Sequence, residues 1–508
     1  MSLSRTLGHL VEPLTGRAWT PNEVSGRIGA RAIEYARRGL VPQDRVALHY
    51  GNSLEFFVDL LAIWQLGACA IPLDGRYTHF EVVNLLRSAR PRFSVWREPP
   101  DAALGDALRE LGIGTLLAPQ AASPPVAATS PQARLRPEDE ALILFTSGTT
   151  GDPKGVVHTH RSLRARWTSL AASLGIAPYR RTLCLLPTHF GHGLICNCLF
   201  PWLHGQDLHV LPPFRADLLM RLGELIDAHG ITFLSSVPTV WRLALKTSAR
   251  PKAGSLARIS CGSAPFSGAL WAAVQEWAGI HEVINAYGIT ETGSWLAGTT
   301  VPFEAPQDGL VGTAWGGEIR VLRTRETSTA PDAHGVCGAG ESGHIWVRTP
   351  ALMKGYLGRD DLTSAVVAGD WFATGDIGLL DDRGWLHLRG RERDEINRGG
   401  AKVYPQDVEG VIERFPGVLD VCSFAQDDPL LGEEVGVAVV LREASDAILV
   451  RLHEWTSVHL APHQVPRRWY LLGEIARSSR GKVRRTDVAA HCERREPVPY
   501  ARLLKRHA

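Results

Sequence analysis

Residues 141–156 read ALILFTSGTTGDPKGV, and they define one structural unit of the chain. An apolar run, 141–145, ends abruptly in a segment of Thr, Ser and Gly, and a helix-like pattern begins near His160. A short apolar run followed by a polar loop and then a helical pattern is typical of α/β proteins. The stretch therefore predicts a buried strand that delivers a flexible polar loop.

The composition of this loop favours phosphate binding. Its glycines let backbone N–H groups approach a polyanion, its hydroxyls add donors, and Lys154 supplies a positive charge. It is not the common NTPase loop, because Pro153 precedes the lysine and Gly155 follows it. The candidate phosphate-binding residues are Thr146, Ser147, Gly148, Thr149, Thr150 and Lys154.

The opening third alternates strand and helix patterns. The apolar run 46–50 is followed by a helix-like segment, 54–66, and by another short strand pattern at 69–72. Such alternation favours parallel α/β layers. Residues 99–140 are rich in Pro, Ala and Ser, which predicts an exposed connection.

A length of 508 residues exceeds what one hydrophobic core usually organises, so at least two domains are expected. From 319 to 388 short runs are broken by Gly and turn-like pairs, which indicates a small antiparallel, barrel-like part. The texture changes again after Arg391. We expect an α/β fold with a large N-terminal domain of layered sheets, 1–391, and a small α+β C-terminal domain, 392–508.

Composition is that of an ordinary globular protein, with 44% hydrophobic and 21% charged residues. The net charge of +2 is too small to indicate nucleic acid as a partner. No apolar stretch reaches the roughly 20 residues of a membrane helix, and no leader pattern opens the chain, so the default expectation is a cytoplasmic protein. Eight cysteines without CxxC spacing predict reduced, mostly buried thiols.

Six segments carry a resemblance to a known family. The loop LFTSGTTGDPKGV resembles the phosphate loop of the acyl-adenylate-forming superfamily, which contains acyl-CoA synthetases, peptide-synthetase adenylation domains and luciferases. Five more segments follow in that family's order: NAYGITE (285–291), GHIWVRTPALMKGY (343–356), DWFATGDIG (370–378), GRERDEINRGGAKVYPQDVE (390–409) and RSSRGKVRR (477–485). The resemblance covers nearly the whole chain and is strongest to acyl- or aryl-acid:CoA ligases.

The resemblance implies a reaction in two steps. ATP activates a carboxylic acid as acyl-AMP with release of pyrophosphate, because AMP is a far better leaving group than oxide. The acyl group then passes to a thiol, for which CoA is the first choice. A carrier-protein phosphopantetheine or an amine acceptor remains as the alternative.

The family's motifs imply roles for particular residues here. Lys482 matches the lysine that bridges the acid carboxylate and the α-phosphate, where two negative charges meet. Glu291 matches the carboxylate that contacts Mg²⁺, a cation that prefers oxygen ligands. Asp376 matches the carboxylate that accepts both ribose hydroxyls, and Arg391 reaches the same sugar.

Tyr287 matches the aromatic residue that stacks on adenine, with a core tyrosine as the alternative. The same segment, 285–291, contributes Gly288 and Thr290 to the candidate nucleotide site. Residues 262–265 read GSAP and resemble the family's turn that lines the base, which adds Gly262, Ser263 and Ala264.

The second half-reaction in the family follows rotation of a mobile C-terminal domain. The hinge position falls on Arg393, where Asp or Lys is usual. Gly399 and Gly400 match the pair that lets a pantetheine arm pass, since a backbone without side chains allows close approach. A simple turn between strands is the alternative interpretation of that pair.

The acid pocket departs most from the family's pattern. Phe190 stands where many CoA ligases have a gating histidine, and His189 and His192 flank it. Each histidine either lines the pocket or is a polar residue satisfied at a helix start. Gly191 stands where amino-acid-activating domains have an aspartate, which disfavours an α-amino acid.

Val237 and nearby apolar residues favour an aryl or aliphatic acid. These neighbours are Leu194, Ile195, Pro238, Val240 and Trp241.

The tail from 467 to 506 carries many arginines and lysines. Such a cluster either attracts the phosphates of CoA or an acidic carrier protein, or forms a solvated face.

Overall fold

The fold is given by a computed structural model. The structure describes residues 6–119, 131–146, 153–212, 215–299, 305–324, 335–477 and 483–499.

The N-terminal part alternates strands and helices. In chain order its elements are β1 (Leu10–Glu12), β2 (Arg17–Trp19), α1 (Pro21–Arg37), β3 (Arg45–His49), α2 (Leu54–Gln65), β4 (Cys69–Pro72), α3 (His79–Ala89), β5 (Phe93–Trp96), α4 (Ala102–Glu110), β6 (Gly114–Leu117), β7 (Glu140–Thr146) and β8 (Lys154–Thr159). Thr20 and Thr78 cap α1 and α3 through reciprocal hydrogen bonds with Glu23 and Glu81.

The middle of the chain continues the same alternation. Its elements are α5 (His160–Leu174), β9 (Arg181–Cys184), a π-type helix (His192–Leu199), α6 (Phe200–Trp202), β10 (Asp207–Val210), α7 (Ala216–Met220), α8 (Leu222–His229), β11 (Phe233–Ser236), α9 (Pro238–Thr247), β12 (Arg258–Gly262), α10 (Gly268–Ala278), β13 (Val283–Ile289) and β14 (Ser294–Gly298). Short 3₁₀ turns at Ala177–Tyr179 and Thr290–Thr292 connect some of them.

The remainder is antiparallel at first and then mixed. It contains β15 (Leu310–Ala314), β16 (Glu318–Leu322), β17 (Gly343–Arg348), β18 (Gly355–Tyr356), α11 (Asp360–Ser364), β19 (Val367–Ala368), β20 (Trp371–Leu380), β21 (Leu386–Arg391), a 3₁₀ turn (Glu392–Asp394), β22 (Ile396–Arg398), β23 (Ala401–Val403), α12 (Pro405–Glu413), β24 (Val418–Asp428), β25 (Gly432–Leu441), α13 (Asp446–His459), β26 (Arg468–Leu471) and α14 (Arg485–Glu493).

Three sheets organise these strands. A seven-stranded sheet has the order β18-β8-β7-β4-β3-β5-β6, and a fourteen-stranded sheet runs β16-β17-β20-β21-β15-β14-β13-β12-β11-β9-β10-β1-β2 with β19 beside β20. The third sheet, β23-β22-β25-β24 with β26 beside β25, belongs to the C-terminal part. The predicted layered α/β fold with a small α+β C-terminal part is confirmed.

The main core lies between the two large sheets. Helix α2 is apolar on nearly all sides and is buried over almost its whole length, as expected of a helix enclosed by other elements. Three fully buried tryptophans, Trp64, Trp202 and Trp295, belong to this core. The C-terminal part has a core of its own around Val408, Ile412, Val437, Leu452 and Trp469.

Two details differ from the sequence-based expectations. Residues 99–140 are not simply a connection, because Asp101 caps α4 and the strand β6 follows. These elements were not predicted, because the Pro and Ala residues elsewhere in the segment concealed the pattern of a capped helix followed by a short strand. The antiparallel strands extend the large sheet through β15, and among the described residues they do not close into a barrel.

The boundary predicted after Arg391 coincides with the end of β21, and the third sheet begins at Ile396. This boundary stays a prediction. All eight cysteines are free thiols, and seven of them are buried. Within the described part of the chain, none of the helices has the length and apolar character that a membrane crossing requires.

Candidate active site

The predicted phosphate loop connects β7 to β8, two strands that pair as a hairpin. Thr146 and Lys154 are register partners there, and the Thr146 hydroxyl donates to the Lys154 carbonyl oxygen at 3.4 Å. The strand predicted before the loop and the helix predicted at His160 are both present. Ser147, Gly148, Thr149 and Thr150 lie outside the described residues, and so does Lys482.

Tyr356 joins the loop lysine to the candidate metal-contacting carboxylate. The Lys154 Nζ lies 5.4 Å from the centre of the Tyr356 ring, within the range of a cation–π contact. The Tyr356 hydroxyl donates to Glu291 Oε1 at 2.7 Å. The structure thus brings Lys154 and Glu291 to one place, and it assigns Tyr356 a contact that its motif alone did not reveal.

Two buried basic side chains fix the turn that carries Glu291. His158, fully buried on β8, donates through Nε2 to the Thr290 carbonyl oxygen at 2.8 Å. Arg166 on α5 donates to the Thr292 carbonyl oxygen at 2.9 Å and to the Trp315 carbonyl oxygen at 2.8 Å. Neither role could be recognised from the sequence, because each partner is a backbone group more than 100 residues away.

Asp376 lies at the centre of a second cluster. Tyr287 donates its hydroxyl to Asp376 Oδ2 at 2.6 Å, and Arg391 Nε lies 2.9 Å from Asp376 Oδ1. Burial and the adjacent carboxylate raise the pKa of Tyr287 well above its usual range, so the phenol stays protonated and donates. The Asp376 carboxylate raises the pKa of Arg391, which therefore stays charged.

This arrangement brings together the residues predicted to contact the ribose and the base. The ring of Tyr287 is only 7% exposed and packs in an apolar cluster with Ile289 and Leu296. That packing describes a core tyrosine, and the stack on adenine stays a prediction.

Close packing requires glycine at two positions of the candidate base-binding turns. A Cβ on Gly262 would lie 2.3 Å from the Ala286 carbonyl oxygen, and one on Gly288 would lie 2.0 Å from the Ser294 carbonyl oxygen. Side chains at these positions are therefore excluded by neighbouring backbone. Thr290, like Ala264 in the turn after Gly262, is partly exposed, as a surface that receives a ligand requires.

His192 connects the base-binding turn to the predicted acid pocket. Its Nδ1 lies 2.8 Å from the Ser263 hydroxyl, and its Nε2 lies 2.6 Å from the Ser235 hydroxyl. It opens the π-type helix, a local geometry that is often found at functional sites. Both ring nitrogens have hydrogen-bond partners, which agrees with the alternative interpretation of His192 as a polar residue satisfied at a helix start.

The other candidate acid-pocket residues are close to His192. Phe190 and Val237 belong to one apolar cluster with Trp241. His189 Nε2 lies 3.5 Å from a carboxylate oxygen of Asp74, and both side chains are buried. The surroundings of the predicted acid pocket are thus less uniformly apolar than expected, since His189, His192 and the Ser235 hydroxyl lie there.

The hinge candidate follows the Asp376 cluster directly, and the thiol-tunnel candidates lie in the third sheet. Arg393, half exposed, sits in the 3₁₀ turn after β21. Gly399 and Gly400 adopt positive φ, 58° and 90°, at the exposed tip between β22 and β23. The Gly400 N–H donates to Asn397 Oδ1 at 2.9 Å. In this orientation the pair is a turn between strands, and its role toward a thiol stays a prediction.

Three arginines of the basic tail form ion pairs within the C-terminal part. Arg485 hydrogen-bonds both carboxylate oxygens of Glu409, one of them at 2.9 Å. Arg477 lies 2.7 Å from Asp420, and Arg468 lies 3.1 Å from Asp428. These three side chains therefore hold their own domain together.

The buried histidine gives a test of the site's framework by pH. Burial lowers the pKa of His158 from 6.5 to about 4, so the folded protein keeps it neutral while the unfolded chain protonates it below pH 6.5. His158 therefore favours the folded state above pH 6.5, and this contribution is lost as the pH falls toward 4. The loss amounts to at most about 3 kcal/mol.

We expect the free energy of unfolding of the wild type to fall relative to that of His158→Gln between pH 7 and pH 4.5. Urea denaturation followed by tryptophan fluorescence measures it. A constant difference between the two proteins across that range would contradict the buried, neutral histidine.

Comparison with known proteins places the chain in a family. The model of the family described as AMP-binding enzyme matches residues 16–357, and that of the AMP-binding enzyme C-terminal domain matches 407–482. A sulfoacetate–CoA ligase from Cupriavidus necator is 28% identical over 95% of this chain and 94% of that protein. A 3-[(3aS,4S,7aS)-7a-methyl-1,5-dioxo-octahydro-1H-inden-4-yl]propanoyl:CoA ligase from Mycobacterium tuberculosis is 31% identical over 93% of this chain and 94% of that protein.

A solved structure shares the whole architecture. MatB from Rhodopseudomonas palustris is 26% identical, and the match covers 97% of both chains. The TM-score is 0.83 to its ATP-bound form and 0.75 to its apo form. Because the first family model alone, over residues 16–357, covers well over half of the chain, the chain belongs to the AMP-binding enzyme family.

Proposed function

We propose that this chain is an AMP-forming acid–thiol ligase. It activates a carboxylic acid with ATP and transfers the acyl group to CoA. The observation that carries the proposal is the proximity of two clusters. Lys154 contacts Glu291 through Tyr356, and Tyr287 and Arg391 surround Asp376. The charge of Glu291 also raises the pKa of Arg391, which brings the two clusters together. A cation and carboxylates placed in this way suit the phosphates and the ribose of one nucleotide.

The first step needs negative charge to be neutralised. The acid oxygen attacks the α-phosphorus in line, the bond to the β-phosphate bridging oxygen breaks, and pyrophosphate leaves. Lys154 and the loop backbone would hold the phosphates, and Lys482 would hold the carboxylate against the α-phosphate. In the second step a thiolate attacks the acyl carbon and AMP leaves.

The surroundings of Glu291 fit a bound Mg²⁺. Its carboxylate is partly exposed, it is oriented by the Tyr356 hydroxyl, and its backbone is held by the turn that His158 and Arg166 support. An oxygen ligand of this kind is what Mg²⁺ prefers. The ion would supply positive charge to the triphosphate.

The domain orientation supports a structure poised for adenylation. Overall similarity is higher to the ATP-bound form of MatB than to its apo form. The Gly399–Gly400 turn is exposed and belongs to the third sheet, whereas Asp376 lies on β20 of the fourteen-stranded sheet. We assign the described orientation to the adenylation step, and we place the pivot at Arg393 and the domain boundary after Arg391.

CoA is the favoured acceptor, because both relatives named above are CoA ligases. A carrier-protein phosphopantetheine and an amine are the alternatives. For the acid, Gly191 leaves an α-ammonium without a carboxylate partner at that position, which supports an aryl or aliphatic acid over an α-amino acid.

A screen of acids tests the proposal. Purified protein is incubated with Mg²⁺–ATP and single acids from a panel of benzoate, hexanoate, palmitate, malonate, sulfoacetate and alanine, with and without CoA. We expect acid-dependent pyrophosphate release and, with CoA, a product with the mass of an acyl-CoA. Release of orthophosphate in place of pyrophosphate would refute the proposal, and an adduct formed only with added amine would select the alternative acceptor.

The first prediction from this function separates the half-reactions. Lys482→Ala should abolish acyl-adenylate formation, because no other residue assigned here bridges the carboxylate and the α-phosphate. Thioester formation from a supplied acyl-adenylate should survive largely intact. Pyrophosphate exchange and thioester release measure the two steps, and equal loss of both in a folded variant would remove the assignment.

The second prediction concerns Tyr356. Tyr356→Phe removes one hydrogen bond to the Glu291 carboxylate, a loss on the order of 1–2 kcal/mol. We expect kcat/KM for adenylation to fall by about tenfold and the Mg²⁺ concentration at half-maximal rate to rise. Tyr470→Phe is the matched control, since it loses a hydrogen bond of 2.6 Å to Gln426 in the C-terminal part. An unchanged Mg²⁺ dependence in Tyr356→Phe would show that its hydroxyl does not orient Glu291.

A further inference from the structure

We propose that Arg242 is a positioning residue for the adenylation step. Its ion pairs with Glu413 and Asp420 hold the C-terminal part of the chain in the orientation described above. The link to adenylation rests on the proposed function, whereas the ion pairs themselves do not.

The contacts of Arg242 cross from one part of the chain to the other. Arg242 lies on α9, and its Nη2 is 2.5 Å from Glu413 Oε1 at the end of α12. Its Nη1 is 3.6 Å from Asp420 Oδ1 on β24. All three side chains are between 18% and 26% exposed. Such shielded pairs are less weakened by solvent than fully exposed ones.

The ionic contacts continue toward the last motif of the chain. Arg477 Nη2 lies 2.7 Å and 2.8 Å from the two carboxylate oxygens of Asp420. The backbone of Arg477 forms an antiparallel bridge with Val483. Asp420 is therefore shared between Arg242 and the strand pair at the base of the segment that contains Lys482.

A second pair of reversed polarity lies beside the first. Asp308 accepts a hydrogen bond from the Gly268 N–H at 2.8 Å, which fixes it on the N-terminal side. Arg414, next to Glu413 in sequence, lies 3.9 Å from Asp308. One ion pair thus has its cation in the N-terminal part, and the other has its cation in the C-terminal part. Such alternating charges favour one orientation of the two parts relative to each other.

The buried side of α9 contacts the predicted acid pocket. Val240 and Trp241 are buried in the apolar cluster that contains Phe190 and Val237. One short helix therefore contacts both the acid pocket and, through Arg242, the C-terminal part. Because both parts have their own apolar cores, loss of Arg242 should change their relative orientation and leave each core folded.

Interdomain distances test the proposal without a substrate. Spin labels are placed on cysteines at Met220 and Val458, which are 49% and 78% exposed, in a Cys337→Ser background. Pulsed electron paramagnetic resonance then gives the distance distribution with Mg²⁺–ATP. We expect a narrow distribution for the parent protein, a broad or shifted one for Arg242→Ala and Glu413→Ala, and a largely restored one for Arg242→Lys.

Arg250→Ala is the matched control. It removes an ion pair of 2.6 Å with Glu276 that lies wholly within the N-terminal part, and it should leave the distribution unchanged. An unchanged distribution in folded Arg242→Ala would overturn the proposal, whatever the outcome of the acid screen.

Kinetics then test the link to adenylation. With the acid that gives the highest pyrophosphate release in the screen, Arg242→Ala should lower kcat for adenylation by about tenfold and leave KM for ATP within twofold. Thioester formation from supplied acyl-adenylate should be unchanged. Equal loss of both half-reactions, with a shifted distance distribution, would retain the ion pairs as an orientation device and refute their specific role in adenylation.

Discussion

The buried carboxylate of Asp376 connects the parts of the molecule on which the site depends. It accepts a hydrogen bond from Tyr287 on β13 and pairs with Arg391 at the end of β21. A buried carboxylate is costly unless charged and polar partners surround it, so these contacts constrain the three strands together. The parallel part of the large sheet, its antiparallel extension and the start of the C-terminal part thereby meet at one point.

The phosphate side of the site depends on a similar constraint. Lys154, Tyr356 and Glu291 form a continuous set of contacts, and buried His158 and Arg166 hold the backbone of the turn beneath Glu291. Groups fixed before a ligand arrives need little reorganisation during the reaction, which is how a protein site stabilises developing charge. In our proposal the orientation of the C-terminal part depends on Arg242, which lies on a helix that also borders the predicted acid pocket.

Much of this was predictable, and the failures have physical reasons. The strand and helix patterns predicted the layered α/β fold and the strand before the loop, and the family resemblance implied that Asp376 and Arg391 lie close together. The strand β8 after the loop was not predicted. The contacts of His158, Arg166 and Arg242 could not be predicted, because their partners are distant in sequence. A histidine or arginine on its own indicates only a buried or solvated polar group. The glycines Gly262 and Gly288 were assigned to nucleotide binding, yet neighbouring backbone already excludes side chains there.

The path of one oxygen atom tests the central claim most directly. The acid that supports turnover is prepared with ¹⁸O in both carboxylate oxygens, and the products of one turnover with CoA are examined by mass spectrometry. If the carboxylate attacks the α-phosphorus, AMP gains one ¹⁸O atom, the thioester keeps one, and pyrophosphate gains none. Appearance of ¹⁸O in orthophosphate, with unlabelled nucleotide, would show activation through an acyl phosphate and would contradict the account.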